Sequence, residues 1–259
     1  MQDDRRTFLK TLGLGSLVSL GGFAFLQRLG GPSQALASGA HLAKADPNVK
    51  RWGMVIDMSL CKEGCNDCVT VCHSRHNVPD HGNKKDEIKW IWKAPYQNVF
   101  TEKNHSYTQE GLLEKPFLTL CNHCDNPPCV RVCPTQATFK RGDGIVQMDF
   151  HRCIGCRFCM AGCPYGSRSF NWRDPRENIQ EIDPHFPTRE RGVVEKCNFC
   201  AERIDRGQMP HCVETCKEGV LTFGNLNDPN SEVRQVLKEK KTIQRKPALG
   251  TQPSVFYVI

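Results

Sequence analysis

The stretch Cys153-Ile154-Gly155-Cys156-Arg157-Phe158-Cys159-Met160-Ala161-Gly162-Cys163-Pro164 decides the reading of this chain. Three closely spaced thiols on a tight turn can hold three iron corners of one cubane cluster. A fourth cysteine, on a short helix that leads away and stops before proline, reaches a neighbouring cluster. Working outward, the remaining cysteines form three further groups of the same kind. Cys121-x2-Cys124-x4-Cys129-x3-Cys133-Pro134 lies just upstream, with a Pro127-Pro128 turn supplying its extra residues. Cys61-x3-Cys65-x2-Cys68-x3-Cys72 lies nearer the N-terminus, and Cys197-x2-Cys200-x11-Cys212-x3-Cys216 nearer the C-terminus. All 16 cysteines of the 259-residue chain fall in these quartets.

The quartet at 153–163 matches the bacterial ferredoxin run without deviation. Disulfides would be compatible with an exported protein, but a disulfide framework has no use for four clustered quartets. Zinc sites pair two separated Cys-x2-Cys knuckles per metal, unlike three cysteines in one short loop followed by Cys-Pro. The c-type haem signature Cys-x2-Cys-His is absent, since Cys72-His73 is preceded by Cys68 at the wrong spacing. Four [4Fe-4S] clusters are the expected cofactors.

Composition fits that expectation. Apolar residues make up 39% and charged residues 24%, which excludes a polytopic membrane protein or a disordered tail. The formal charge is +7, with basic residues scattered rather than blocked, so no nucleic-acid footprint appears. Each oxidised cluster with four thiolates carries roughly −2, so the basic excess reads as compensation for buried cofactors. No nucleophile–base pair, phosphate loop or dinucleotide fingerprint is present, and no small-molecule substrate is expected.

The N-terminus reads as an address. Arg5-Arg6-Thr7-Phe8-Leu9-Lys10 resembles a twin-arginine (Tat) export signal, although Asp4 stands where Ser or Thr is usual. The uncharged run from Thr11 to Leu26 is short for a membrane span, which needs about 20 apolar residues. Ala35-Leu36-Ala37 offers a small-x-small cleavage site. Residues 1–37 are therefore expected to be a Tat-type signal peptide or a retained anchor. This route carries folded proteins, so clusters can be inserted before the thiols meet an oxidising compartment.

The expected fold is α+β: two nested bacterial-type double-cluster ferredoxin units with inserted loops and a C-terminal tail. A linker spans 38–52 and the four-cluster domain 53–225. Its inner unit, 117–172, contains a β-hairpin around Gly142-Asp143-Gly144, with strands in Ala137–Lys140 and Ile145–Asp149. Its outer unit joins 53–76 to 193–225, with a strand at Val220–Phe223. The tail, 226–259, holds a short docked helix with Ser231 as N-cap and a stripe of Val233, Val236 and Leu237, then a terminal strand. Two insertions, 79–116 and 173–192, interrupt the pattern. Trp90 and Trp92 read first as packing and second as a docking surface. Arg168, Arg173 and Arg176 read as a solvated charged face rather than as groups tuning a cluster.

The four-group order, with Cys-Asn-His-Cys-Asp-Asn-Pro-Pro-Cys at 121–129 and Cys-Pro-Tyr-Gly at 163–166, resembles the iron–sulfur electron-transfer subunits of dimethyl-sulfoxide-reductase complexes. The phrases at 169–176, 192–197 and 224–231 are most similar to periplasmic subunits of the sulfite-reduction-associated Dsr membrane complexes. The resemblance implies the ligand sets. Cys61, Cys65, Cys68 and Cys216 would hold cluster 1, and Cys197, Cys200, Cys212 and Cys72 cluster 2. Cys121, Cys124, Cys129 and Cys163 would hold cluster 3, and Cys153, Cys156, Cys159 and Cys133 cluster 4. Cys216 is followed by Lys217, and Cys72 by His73, where the family pattern has proline.

It further implies an electron-transfer subunit on the periplasmic face of the membrane, with no catalytic site of its own. The implied partners are a polytopic quinone-interacting membrane subunit, a multihaem cytochrome c and other Dsr-type subunits. The alternative is the iron–sulfur subunit of a periplasmic molybdopterin oxidoreductase or hydrogenase, which shares every cysteine.

Overall fold

The computed structural model describes residues 50–259, residue 110 apart. The expected export leader at 1–37 and most of the linker at 38–52 lie outside the described residues. No helix among the described residues is long and apolar enough to cross a membrane.

The largest sheet is built around β1 (Trp52–Ile56), whose apolar residues alternate between two buried faces. On one side β1 pairs antiparallel with β8 (Leu221–Asn225), Val55 opposite Thr222. On the other it pairs parallel with β10 (Val255–Val258), Met54 opposite Val255. β9 (Thr242–Ile243) adds to β10, giving the order β8-β1-β10-β9. The period-2 geometry of a strand sends Met54 and Ile56 into the main core with Phe223, Val255 and Tyr257. Val55 points the other way, onto Leu226 and Val233. The tail helix, Glu232–Glu239, docks there through Val233, with Val236 and Leu237 beside it, as its stripe suggests. Ser231 sits at its N-cap, but its hydroxyl donates to the carbonyls of Asn225 and Asp228 instead of accepting from the helix.

β2 (Ile91–Pro95) and β3 (Pro116–Leu120) form an antiparallel pair that closes the first insertion. The expected hairpin is present as β4 (Thr138–Lys140) and β5 (Val146–Met148), and the short β6 (Ser169–Phe170) pairs with β7 (Val194–Glu195). Small sheets, short helices and long connections make an α+β fold. The helix Asp67–Arg75 packs against His211–Thr215, and Pro128–Arg131 against Phe158–Ala161.

A buried polar network pins the insertions. The Glu195 carboxylate pairs with the Arg189 guanidinium at 2.5 Å, and neither side chain is exposed to solvent. Glu195 also accepts from Trp90 Nε1 at 2.9 Å and from Asn171 Nδ2 at 2.5 Å. Arg189 donates to the carbonyls of Pro187 and Asn77, both at 2.8 Å, and to that of His76. Trp90 is thus a packing residue, stacked on His76 with ring centroids 4.6 Å apart. Trp92 is half-buried beside it.

Two substitutions test this architecture. Removing one partner of a buried ion pair leaves the other charge stranded, so Glu195→Ala is expected to cost about 3–5 kcal/mol. A Cβ at Gly53 would lie 2.5 Å from Leu226 Cδ1 and 2.8 Å from the Ser254 carbonyl oxygen. Gly53→Ala is therefore expected to cost about 1–3 kcal/mol through overpacking. Anaerobic urea unfolding of the iron-loaded chain measures both; an unchanged midpoint for Glu195→Ala would show that the pair does not hold the insertions.

Candidate metal centre

None of the sixteen cysteines forms a disulfide. In each quartet the first two lie on a loop that must turn sharply, and the turns share one feature. The residue immediately before the second cysteine is left-handed in every case: Gly64 (φ 74°), His123 (φ 40°), Gly155 (φ 69°) and Phe199 (φ 57°). Glycine adopts this conformation without strain. At Gly155 there is a second requirement, because a Cβ would lie 2.4 Å from the Gly192 carbonyl oxygen. Histidine and phenylalanine pay in strain for the same turn. The two rings then stack on each other, centroids 3.7 Å apart and 17° from parallel. That contact joins the loop of Cys121 and Cys124 to the loop of Cys197 and Cys200.

The later cysteines of each quartet sit on or beside short helices. Cys68 and Cys72 lie on the helix Asp67–Arg75, and Cys129, Cys159 and Cys212 on Pro128–Arg131, Phe158–Ala161 and His211–Thr215. Helix pairing then exchanges the fourth thiol between distant segments. Cys216 lines one cavity of about 250 Å³ with Cys61, Cys65 and Cys68. Cys72 is buried, and the thiols of Cys197, Cys200 and Cys212 act on it more strongly than that of Cys68 on its own helix. Cys163 faces Cys121, and Cys124 faces Cys121, Cys129 and Cys163. Cys159 is pushed up by the neighbouring thiols of Cys129 and Cys153. Cys156 shares the loop of Cys153. Cys133 Sγ is engaged by the Thr135 hydroxyl at 3.7 Å and by backbone N–H groups of Thr135, Ala137 and Thr138.

Electrostatics sort these thiols. Burial pushes Cys68 up to about 11, and Cys124 and Cys197 up to about 12; neighbouring thiolates push in the same direction. Burial also raises Cys72 and Cys212 well above the ordinary thiol value. Cys133 goes the other way. Burial pushes it up, but backbone N–H groups of Thr138, Thr135 and Ala137 aim at its sulfur and lower it overall.

Cations face the thiols. Lys93 Nζ donates to the Cys65 carbonyl and lies 3.9 Å from Cys61 Sγ. Lys196, completely buried, donates to the carbonyls of Val146 and of Cys197, the latter at 2.7 Å, with Cys121 close by. Arg168 is 5% exposed and donates to Cys129 Sγ at 3.1 Å. The expected solvated face therefore holds for Arg173 and Arg176, which pair with Asp86 and Asp174 at the surface, but not for Arg168. Arg168 directly precedes β6, in the buried run Ser167-Arg168-Ser169. The one sequence signal for Lys196 was a charged pair, Glu195-Lys196, embedded after Val193-Val194. Arg168 had no comparable signal.

Thiols grouped in fours, desolvated, and faced by buried cations and amide N–H groups suit soft metal centres that bind thiolate. His76, Cys200 and Glu202 also present ligand atoms within 4.8 Å of one another. Two of these are already engaged, His76 Nε2 with Glu202 at 3.2 Å and His76 Nδ1 with the Cys72 carbonyl at 2.8 Å.

Residues 114–226 match the 4Fe-4S dicluster domain family. The Hdr-like menaquinol oxidoreductase iron–sulfur subunit 1 of Archaeoglobus fulgidus is 42% identical over 230 residues, covering 80% of this chain and 83% of that protein. The menaquinone reductase iron–sulfur cluster-binding subunit of Nitratidesulfovibrio vulgaris is 37% identical over 235 residues, covering 80% and 88%. Protein NrfC of Escherichia coli is 37% identical over 213 residues, covering 82% of each. With its thiols so arranged and likeness of this extent, the chain belongs to the family of 4Fe-4S dicluster iron–sulfur subunits that transfer electrons in oxidoreductase complexes.

Proposed function

We propose that the chain carries four [4Fe-4S] clusters and passes electrons between the quinone and haem subunits of a membrane-bound respiratory complex of the Dsr type. The observation that carries the four-cluster reading is the exchange of fourth thiols: Cys216 beside Cys61, Cys65 and Cys68, and Cys72 beside Cys197, Cys200 and Cys212. In this reading the first set holds cluster 1 and the second cluster 2. Cys121, Cys124, Cys129 and Cys163 hold cluster 3, and Cys153, Cys156, Cys159 and Cys133 hold cluster 4. Two nested ferredoxin units result, the inner carrying clusters 3 and 4. The menaquinol and menaquinone enzymes named among its relatives support a quinone-linked complex. The twin-arginine leader supports export to the periplasmic face. The phrases at 169–176, 192–197 and 224–231 support a DsrO-type subunit and sulfur metabolism.

Bound clusters would supply one-electron oxidation and reduction with little change of shape. The protein's residues do the rest. Four thiolates per cluster would saturate the iron and leave no coordination position for a substrate. Backbone N–H groups at Cys133 and the cations Lys93, Lys196 and Arg168 stabilise negative charge as electrons arrive. Burial excludes water from the sulfurs. The loops of clusters 2 and 3 meet through the stacked rings of His123 and Phe199, which would place that pair between the two clusters.

Anaerobic purification of the complex from membranes tests the identity. Haem b and haem c without molybdenum, and about sixteen non-haem irons per copy of this chain, are the expected result. Molybdenum with a large catalytic partner would replace the Dsr-type reading by a molybdopterin oxidoreductase. Single serine variants test the ligand sets. Cys216→Ser and Cys163→Ser are each expected to lose about a quarter of the iron, from different clusters distinguishable by electron paramagnetic resonance. Loss of the same signal in both would overturn the sets. The raised thiols set a pH dependence. Thiols held above their ordinary value of about 8.5 enter protonated and must release protons to bind iron. Cluster reconstitution is therefore expected to acidify a weakly buffered solution and to gain yield as pH rises toward the thiol range. A pH-independent yield would argue against thiolate ligation at the buried sites.

A further inference from the structure

Arg168 is nearly fully buried, and a guanidinium is always charged in proteins. Among the described residues no carboxylate forms an ion pair with it. Its donors go instead to Cys129 Sγ at 3.1 Å, to Thr138 Oγ1 at 2.8 Å and to Met148 Sδ at 3.7 Å. A buried charge without a counter-charge is expensive, so the thiol side of this site must supply the negative partner. The arrangement also reaches two quartets. The thiols that act on the guanidinium are Cys129, which it hydrogen-bonds, then Cys159 and Cys121. Thr138, which accepts from Arg168, directs its own backbone N–H at Cys133. Cys129 and Cys121 belong to the third ligand set, Cys159 and Cys133 to the fourth.

We propose that Arg168 is a fixed positive charge shared by two neighbouring clusters, and that it raises the reduction potential of both. This rests on the four-cluster reading. One electron arriving at either cluster adds one negative charge; Arg168 keeps its proton and no bond is made or broken. The guanidinium therefore favours the reduced form at both positions, and more strongly at the set that includes Cys129. Its removal must make both clusters harder to reduce while leaving those of the outer unit alone.

The test is a redox titration of the full cluster-loaded chain, followed by electron paramagnetic resonance, with iron and sulfide counted in the same samples. In Arg168→Gln, two of four potentials are expected to fall. The larger fall should be at least about tenfold in the one-electron equilibrium constant, about 59 mV. Arg168→Lys keeps the charge but not the forked geometry, and is expected to show smaller falls at the same two clusters. Four intact clusters with unmoved potentials in Arg168→Gln would overturn the proposal, and so would an equal displacement of all four. If Arg168→Gln does not retain iron, Arg168→Lys decides. Loading with the same two potentials lowered supports the proposal. Loading with all four unmoved, or loss of iron in both variants, makes Arg168 a purely structural residue and sinks it. A wild-type chain with fewer than four clusters would instead overturn the four-cluster reading, before any variant is compared.

Discussion

Negative charge cannot be kept inside a protein without positive charge or N–H groups facing it, and this chain must keep a great deal of it. Burial alone drives the thiols of Cys72, Cys197, Cys200 and Cys212 upward, and their mutual proximity drives them further. The fold answers with lysines and an arginine at depths where such residues are rare. Lys196 sits where Cys121 and Cys197 approach each other, and Arg168 where Cys129 and Cys159 do. These cations are placed by strands. Lys196 directly follows β7 and Arg168 directly precedes β6, so the short β6–β7 pair delivers both to the thiol-rich interior.

The same β6–β7 pair carries Glu195, which holds Arg189 and Trp90. Arg189 lies over the rings of Trp90 and Phe186, 5.5 and 5.7 Å from their centroids. The guanidinium thereby fastens the second insertion to the end of the helix that bears Cys68 and Cys72, through the carbonyls of His76 and Asn77. The insertions thus do not hang from the outside of the thiol-bearing elements; they close over one side of them. An apolar contact could not fix them as narrowly, because hydrophobic burial is non-directional whereas a buried ion pair with five further hydrogen bonds admits few alternatives.

The C-terminal segment has a comparable role on another side. β10 pairs with β1, and Tyr257 donates to the Leu118 carbonyl at 3.0 Å. The chain just before it lies along the Cys121–Cys129 loop, where Asp125 and Asn126 donate to the carbonyls of Gln252 and Thr251, and Ser254 donates to that of Asn122. The segment that follows the last cysteine by forty residues thereby braces one of the central loops.

Much of this protein was legible in its sequence because cysteine spacing is a local code. A Cys-x2-Cys turn, a short helix and a following proline act within a dozen residues, so the quartets, the β4–β5 hairpin and the tail helix could be read directly. The left-handed turns were half legible: Gly64 and Gly155 announce themselves, whereas His123 and Phe199 adopt that conformation with their rings stacked on each other across the fold. Ser231 looked like a cap and became a donor to Asn225 and Asp228, since the preceding turn presents two carbonyls. Arg168 looked like solvent-facing charge and is buried against a thiol. Sequence by itself determined which residues could hold metal, because ligand chemistry is carried by residue type and short spacing. Only the tertiary structure decided which thiols meet and which cations face them, because those contacts join segments tens to more than a hundred residues apart and depend on strand pairing that no local pattern encodes.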